Sequence, residues 1–243
     1  MKARRRIFQF GLAGVFFAII LIALSLAYFR FEMQQYLQRE DAVTILTRGG
    51  ASLHYDFEFD DKTFGRLDLS ATPPGSSWLR ARFGERFFAR LTYASVQGPN
   101  FSDDDLEYVG RLTELEMLHL DGASITDSGL RHLSELRRLT GLTLRRTRIT
   151  DAGLPALSDC RPLSVSLDYT AVSDSGIAYL AGVANFEALG LDGTEVTDEG
   201  LAHLHRMTKL RMLSVRETRI SPEAIREFKH ALPLCEVIEL SRN

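Results

Sequence analysis

One phrase returns along the second half of this chain. ITDSGLRHL begins at Ile125, ITDAGLPAL at Ile149, VSDSGIAYL at Val172 and VTDEGLAHL at Val196. Looser copies open at Phe101 and Ile220, so successive units start 24, 24, 23, 24 and 24 residues apart. In the second unit the apolar positions are Ile125, Leu130, Leu133, Leu136, Leu139, Leu142 and Leu144; the fifth repeats them as Val196, Leu201, Leu204, Met207, Leu210, Leu213 and Val215. One unit of this size cannot bury its own apolar face, whereas stacked copies bury a continuous one. The period therefore predicts an array of near-identical units.

Each unit changes rhythm halfway. From Leu130 the apolar residues step by threes, which predicts a short helix packed along one face. Thr126 and Asp127 stand at its start, where a hydroxyl caps free N–H groups and an acid suits the positive helix end. Gly141, Leu142, Thr143 and Leu144 then alternate with period two, the pattern of a short strand buried on one face. Turns are expected at Asp121-Gly122 and Asp192-Gly193. Glycine inside a helix costs about 1 kcal/mol relative to alanine, so Gly129, Gly153, Gly176 and Gly200 need a local reason; close packing of the helix start on the neighbouring unit is the expected one.

The pattern L-x-x-L-x-L-x-x-T-x-I/V, as in Leu139 to Ile149, resembles a leucine-rich repeat, and ITDxGLxxL resembles its cysteine-containing branch. Together with the amino-terminal apolar run, AVTILTRGGASLHYDF, the piece at Trp78 and the closing Ala231 to Cys235, the chain is similar to membrane-anchored leucine-rich repeat proteins of planctomycete bacteria. The resemblance covers residues 101–240 and implies an α/β fold: a right-handed horseshoe solenoid with a parallel concave sheet and helices on the convex side, preceded by a transmembrane helix and a capping segment. It also implies a hydrogen-bonded ladder inside the turn at Thr147, Thr170, Thr194 and Thr218. The residues themselves allow a second reading, that threonine simply favours this turn.

The amino terminus is different in kind. Lys2, Arg4, Arg5 and Arg6 precede an almost wholly apolar run from Ile7 to Phe29. A bilayer-spanning helix needs about 20 apolar residues, and Lys and Arg favour the cytoplasmic side. The division expected is a cytoplasmic basic tail (1–6), a transmembrane helix (7–29), a juxtamembrane stalk (30–48), an amino-terminal cap region (49–100) and the repeats with a carboxy-terminal cap (101–243). A cleaved signal peptide is the alternative, since Ser25 to Ala27 resembles a small-residue cleavage site; the apolar run exceeds the usual core of about 7–15 residues. Either way the remainder is exported. Four cations and no acids lie in residues 1–29, so the net charge goes from −3 for the whole chain to −7 beyond them. Phosphate affinity rests on Lys and Arg, so nucleic acid is not an expected partner.

The exported setting invites a disulfide between Cys160 and Cys235. They fall three repeats apart, roughly 14 Å at about 4.8 Å per strand, whereas a disulfide needs Cα atoms within about 7 Å. Two free thiols are expected. In the cap region Leu53 to Phe59 alternates as a strand, Pro73-Pro74-Gly75 marks a loop, and Leu79, Phe83, Phe87 and Leu91 recur every four residues opposite Arg80, Arg82 and Arg86, the pattern of an amphipathic capping helix. Pro222 suits a helix's first turn, and Val237 to Leu240 supplies the last strand.

Function should sit where the units differ. The exposed strand positions read Ser95, His119, Thr143, Ser166, Gly190, Ser214 and Glu239, and the next outward row reads Gln97, Asp121, Arg145, Asp168, Asp192, Arg216 and Ser241. This surface is polar and mixed in sign, which suits a protein or peptide partner. Arg145 and Arg216 are its expected energetic contacts, because hot spots favour Arg and aromatic residues. A hydrolase could be assembled from His119, Asp121 and Ser95 or Ser166, but no nucleophile elbow or oxyanion-hole motif accompanies them. His203 and His205 stand two apart rather than at the i, i+4 spacing of a zinc helix, and Asp103 to Asp105 occupy the helix-start slot. Neither metal nor cofactor is expected. Arg137, Arg138, Arg145, Arg146 and Arg148 form one basic cluster. The reading is a non-catalytic interaction or scaffolding module anchored in the cell membrane through residues 7–29 and displayed outside the cytoplasm. The alternatives are an envelope structural or self-assembling protein and, behind it, a hydrolase.

Overall fold

The computed structural model describes residues 12–60, 66–67, 71–73, 76–84, 89–183 and 186–239. Two compact units divide the chain, 1–40 and 41–243. Helix α1 (Leu12–Arg48) covers the apolar run from Leu12 and the polar-apolar segment after it without a break; residues 1–11 lie outside the described residues. In the first unit its apolar side chains, among them Phe16, Phe17, Ile20 and Leu24, are exposed. The helix is long and apolar enough to cross a bilayer, with a mean hydropathy of 2.1 in its most apolar window.

The second unit opens with the last turns of that helix. Ala42, Val43 and Leu46 are buried in its core. Gly50, with φ +77°, ends the helix, and the Ala51 N–H donates to the Leu46 carbonyl at 2.9 Å. Strand β1 (Ser52–Tyr55) follows. The alternating run does not continue as strand to Phe59: Asp56–Glu58 forms a 3₁₀ turn. The Asp56 carboxylate accepts from the N–H groups of Phe57 and Arg90, and Glu58 accepts from the Tyr55 N–H, so local side-chain bonds replace the ladder there. Phe59–Asp60 (β2) pairs with Arg66–Leu67 (β3) as a separate ribbon. Helix α2 (Ser77–Phe83) is shorter than the four-residue spacing predicts. Gly84, at φ +91°, closes it, and Leu91 instead opens β4 (Leu91–Gln97), paired with Tyr55. Pro74, Gly75, Arg86 and Phe87 lie outside the described residues.

From β4 onward the repeat is visible as geometry. Strands β5 (Met117–Asp121), β6 (Gly141–Thr143), β7 (Ser164–Ser166), β8 (Ala188–Gly190), β9 (Met212–Ser214) and β10 (Glu236–Ile238) continue one sheet of order β1-β4-β5-β6-β7-β8-β9-β10. Every neighbour from β4 to β10 is parallel, and β1 closes the amino-terminal edge antiparallel to β4. Equivalent residues of successive units are register partners: Ala94, Leu118, Leu142, Val165, Leu189 and Leu213 form one buried row. A slip of one residue would turn that row to solvent, so the alternation fixes the register. The result is a leucine-rich-repeat-like α/β fold, as the resemblance implies.

The helical halves are less uniform than the strands. Helices α3 (Asp103–Val109), α6 (Asp174–Val183), α7 (Asp198–Leu204) and α8 (Pro222–Ala231) are regular. The second unit has one turn of α4 (Asp127–Leu130) running into a 3₁₀ turn, and the third has 3₁₀ geometry over Asp151–Ala156 before α5 (Leu157–Cys160). Pro155 lies inside that 3₁₀ stretch and lacks the N–H an α-helix would use there.

The recurring Thr-Asp pair is a joint between units. Each Asp carboxylate reaches forward about one repeat and accepts two hydrogen bonds from the next helix-capping residue. Asp103 takes the N–H and hydroxyl of Thr126 at 2.8 and 2.6 Å, and Asp127 takes those of Thr150 at 2.8 and 2.6 Å. Asp151 serves Ser173, Asp174 serves Thr197 and Asp198 serves Ser221 in the same way. The first unit has no earlier Asp, and Ser102 turns to its own Asp105 instead. The capping expected of threonine is present, with Ser128 and Ala152 donating to Thr126 and Thr150; the aspartate's larger task is the bond across units. This also supplies the reason for the glycines. A Cβ at Gly129, Gly153, Gly176 or Gly200 would overlap the carboxylate of Asp103, Asp127, Asp151 or Asp174.

The recurring threonines, buried at 147, 170 and 194 and half-buried at 218, bond inside the turn. The hydroxyls of Thr147, Thr170, Thr194 and Thr218 donate to the carbonyls of Leu144, Leu167, Leu191 and Val215, three residues back, at 2.5–2.8 Å. The bond is local, as turn chemistry requires. Cys160 and Cys235 are free and buried.

Candidate functional site

The strand alternation that buries one row exposes the rows on either side of it. Ser95, His119, Thr143, Ser166, Gly190 and Ser214 are register partners across the sheet, as expected. The row ends differently: Ser214 pairs with Ile238, and Glu239 lies one residue further on, held by Lys229 Nζ at 2.7 Å. Ser241 lies outside the described residues. Two residues upstream runs a column that includes Tyr93, Met117 and Met212, with Met117 40% and Met212 44% exposed. The Tyr93 ring stands 5.2 Å from both His54 and His119. The face therefore carries aromatic surface that the two polar rows do not reveal, although the same period of two places it there.

The downstream row separates into bonded and unbonded residues. The Ser166 hydroxyl donates to Asp168, and Asp168 accepts the Asp192 N–H at 2.9 Å. Asp192 accepts the Ser214 hydroxyl and the Arg216 N–H, and its second oxygen lies 3.2 Å from Arg216 Nε. Carboxylates here tie strand ends together across units. Asp121 and Arg145 have no such arrangement. Asp121 Oδ1 and Arg145 Nε are buried without a hydrogen-bond partner among the described residues, and an unmade bond of this kind costs about 1–3 kcal/mol. With Gln97, Gly98, Gly122 and Arg146 they line a cleft of about 440 Å³ at the carboxy ends of β4–β6.

The turn beyond each strand adds the next observation. Its second residue is left-handed after each strand from β4 to β9: Gly98, Gly122 and Gly193 at φ +92°, +70° and +63°, but Arg146, Tyr169 and Glu217 at +54°, +55° and +57°. A bulky residue with positive φ costs about 1–3 kcal/mol. These three side chains share one cluster. The guanidinium carbons of Arg145 and Arg146 lie 5.4 and 5.1 Å from the Tyr169 ring centroid, and the Tyr169 hydroxyl donates to Glu217 at 3.2 Å. The sequence pattern hides Tyr169, because glycine elsewhere in the column marks the position as a turn.

The five-arginine cluster is split. Arg137 and Arg138 precede β6 and Arg145, Arg146 and Arg148 follow it, roughly 20 Å apart at about 3.3 Å per strand residue. Arg138 is paired with Glu114. His119 and Asp121 share a strand, yet no hydrogen bond among the described residues links His119 to Asp121, Ser95 or Ser166, the contact nucleophilic catalysis requires. Asp103 and Asp105 are committed to Thr126 and Ser102, and His205 packs on Phe228 with ring centroids 5.4 Å apart. Among the described residues no three His, Cys, Asp or Glu side chains converge as a metal site. Burial pushes the Cys160 thiol up to about 11 and raises Cys235 as well, away from a reactive thiolate.

No family model matches the chain, and no curated protein matches it. Similar solved structures include an internalin (inlF) of Listeria monocytogenes, 23% identical over 56% of this chain and 38% of that one, with a TM-score of 0.45. An internalin C2 of the same species is 22% identical over 64% of this chain and 72% of that one, with a TM-score of 0.46. A leucine-rich repeat protein of Leptospira interrogans is 15% identical over 54% and 38%, with a TM-score of 0.40. The chain thus spans 38% of the length of the first of these structures.

Proposed function

We propose that this chain is a non-catalytic protein-interaction module of the leucine-rich repeat kind. Its repeats form a right-handed horseshoe whose concave strand face receives a protein or peptide. Residues 7–29 anchor it as a single membrane pass, with 1–6 in the cytoplasm, 30–48 as a stalk, 49–100 as the cap and 101–243 outside. The observation that carries the binding reading is the contrast along one row: Asp168, Asp192 and Arg216 are bonded within the sheet, while Asp121 Oδ1 and Arg145 Nε are buried without a hydrogen-bond partner among the described residues. A fold sustains unmet groups of this kind at places where something else meets them. Helix α1, long and apolar enough to cross a bilayer, supports the anchor.

Proximity labelling from the repeat domain in its native host tests the reading. The wild-type chain should label a heterologous protein, and the Arg145→Glu/Arg216→Glu variant should lose it. Unchanged labelling by the variant removes the strand face as the binding surface, and exclusively homotypic cross-links replace recognition by self-assembly.

A further inference from the structure

The cleft at the ends of β4–β6 has chemistry specific enough to say what it holds. Arg145 and Arg146 are neighbours in sequence, and neither has a carboxylate within ion-pair distance among the described residues. Both guanidinium groups are set against the Tyr169 ring, which Glu217 holds through its hydroxyl. Three of these four side chains, Arg146, Tyr169 and Glu217, occupy left-handed positions that glycine fills in other units. The strain is thus concentrated on the cluster that orients the two cations. On the neighbouring strand, Asp121 at the end of β5 carries a buried oxygen with no hydrogen-bond partner among the described residues. Gly98 and Gly122, which follow β4 and β5, offer bare backbone on that side of the arginines: a Cβ at Gly98 would meet nothing within 4 Å, and one at Gly122 only the Gly98 backbone, at 3.9 Å.

A simple anion satisfies half of this site, because it leaves Asp121 facing like charge. The occupant must bring a carboxylate to the arginines and an N–H donor to Asp121, from a main chain that can lie over the two glycines. We infer that the cleft binds an acidic side chain of an extended peptide segment, Arg145 and Arg146 taking its carboxylate and Asp121 taking a backbone N–H beside it. This assignment rests on the interaction-module reading and names the partner's chemistry at one point of the face.

The test uses the full chain in detergent micelles and isothermal titration with three pentapeptides. These are Gly-Gly-Glu-Gly-Gly blocked at both ends, the same peptide with Gln for Glu, and pentaglycine with a free carboxy terminus. The Glu peptide should bind at least about tenfold more tightly than the other two, as expected for loss of a charged hydrogen bond. Arg145→Ala and Arg146→Gly should each weaken it about tenfold; glycine at 146 suits the left-handed backbone, so that variant keeps its fold. Asp121→Ala is decisive. Under general charge attraction, removing an acid tightens binding of an acidic peptide; in this site it weakens it about threefold or more. Arg226→Ala, an exposed cation on α8, should change nothing. Equal binding of the Gln peptide, preference for the free carboxy terminus, or tighter binding by Asp121→Ala overturns the assignment. If these titrations fail while Arg145→Glu/Arg216→Glu still abolishes partner labelling, the cleft assignment falls and the interaction reading stands; if labelling is unaffected, the face itself is wrong.

Discussion

Replacing Gly129 with alanine, the better helix former, should destabilise this protein. Alanine in a helix interior is favoured over glycine by about 1 kcal/mol. Here the added Cβ would overlap Asp103 Oδ1 and lie 2.8 Å from Cγ, and all three nearest atoms belong to Asp103. Relief requires that carboxylate to withdraw from the Thr126 N–H and hydroxyl. Two hydrogen bonds to a charged group are worth about 1.5–3 kcal/mol each. The pair is half-buried, so the lower end applies, and subtracting the helix gain leaves about 2 kcal/mol net. That corresponds to a fall in Tm of about 4–8 °C for a domain of this size, read by urea or thermal unfolding. The same substitution in an Asp103→Ala background should be neutral or slightly stabilising, since the obstacle is gone. A double-mutant cycle therefore yields a coupling of about 2–3 kcal/mol between two residues 26 positions apart. Coupling within about 0.5 kcal/mol of zero would show that the carboxylate is not what excludes the side chain, and the inter-unit joint would lose its main support.

Other consequences can be measured in the same way. Thr170→Val and Thr194→Val should each cost about 1 kcal/mol and be additive, because each hydroxyl bonds only within its own turn; strong non-additivity in chemical denaturation would show bonding between them. Burial raises the Cys160 thiol from 9.0 to about 11. Its stability contribution is therefore full below pH 9 and lost as pH rises toward 11, when the unfolded thiol ionises and the folded one does not. Wild type should lose about 2 kcal/mol more than Cys160→Ala across that window, at 1.36 kcal/mol per unit, and parallel urea curves would contradict it. Arg146→Gly exchanges left-handed strain for unfolded-state entropy, each about 1 kcal/mol, so its Tm should stay within about 2 °C of wild type in calorimetry.

The fold is legible in the sequence to the extent that burial governs it. Leu118, Leu142 and Leu213 announce their row by alternation, and the 23-residue step before Val172 reappears as the one 23-residue register step, from Gly141 to Ser164. What escapes is the work of polar atoms between units. Asp127 reads as a residue of its own helix, because its partners, the Thr150 N–H and hydroxyl, lie 23 residues away. The split of the arginine cluster is legible only once β6 is placed between Arg138 and Arg145. Tyr169 and Glu217 are hidden for a different reason: a left-handed φ is announced by glycine and masked by any other residue. Four-residue spacing extends the cap helix to Leu91, because spacing alone does not register the stop at Gly84.

The chain of forward-reaching carboxylates also carries information about extent. It has a direction, each acid serving the unit after it, and it begins where Ser102 satisfies itself on Asp105. At the equivalent place in the last unit, 24 residues after Asp198, stands Pro222. A further unit laid against β10, whether from this chain or from a neighbouring molecule, would find a pyrrolidine where every earlier unit finds an acid. The chain of inter-unit carboxylate bonds therefore stops at Asp198, and what Pro222 lacks is hydrogen-bonding capacity and not apolar surface.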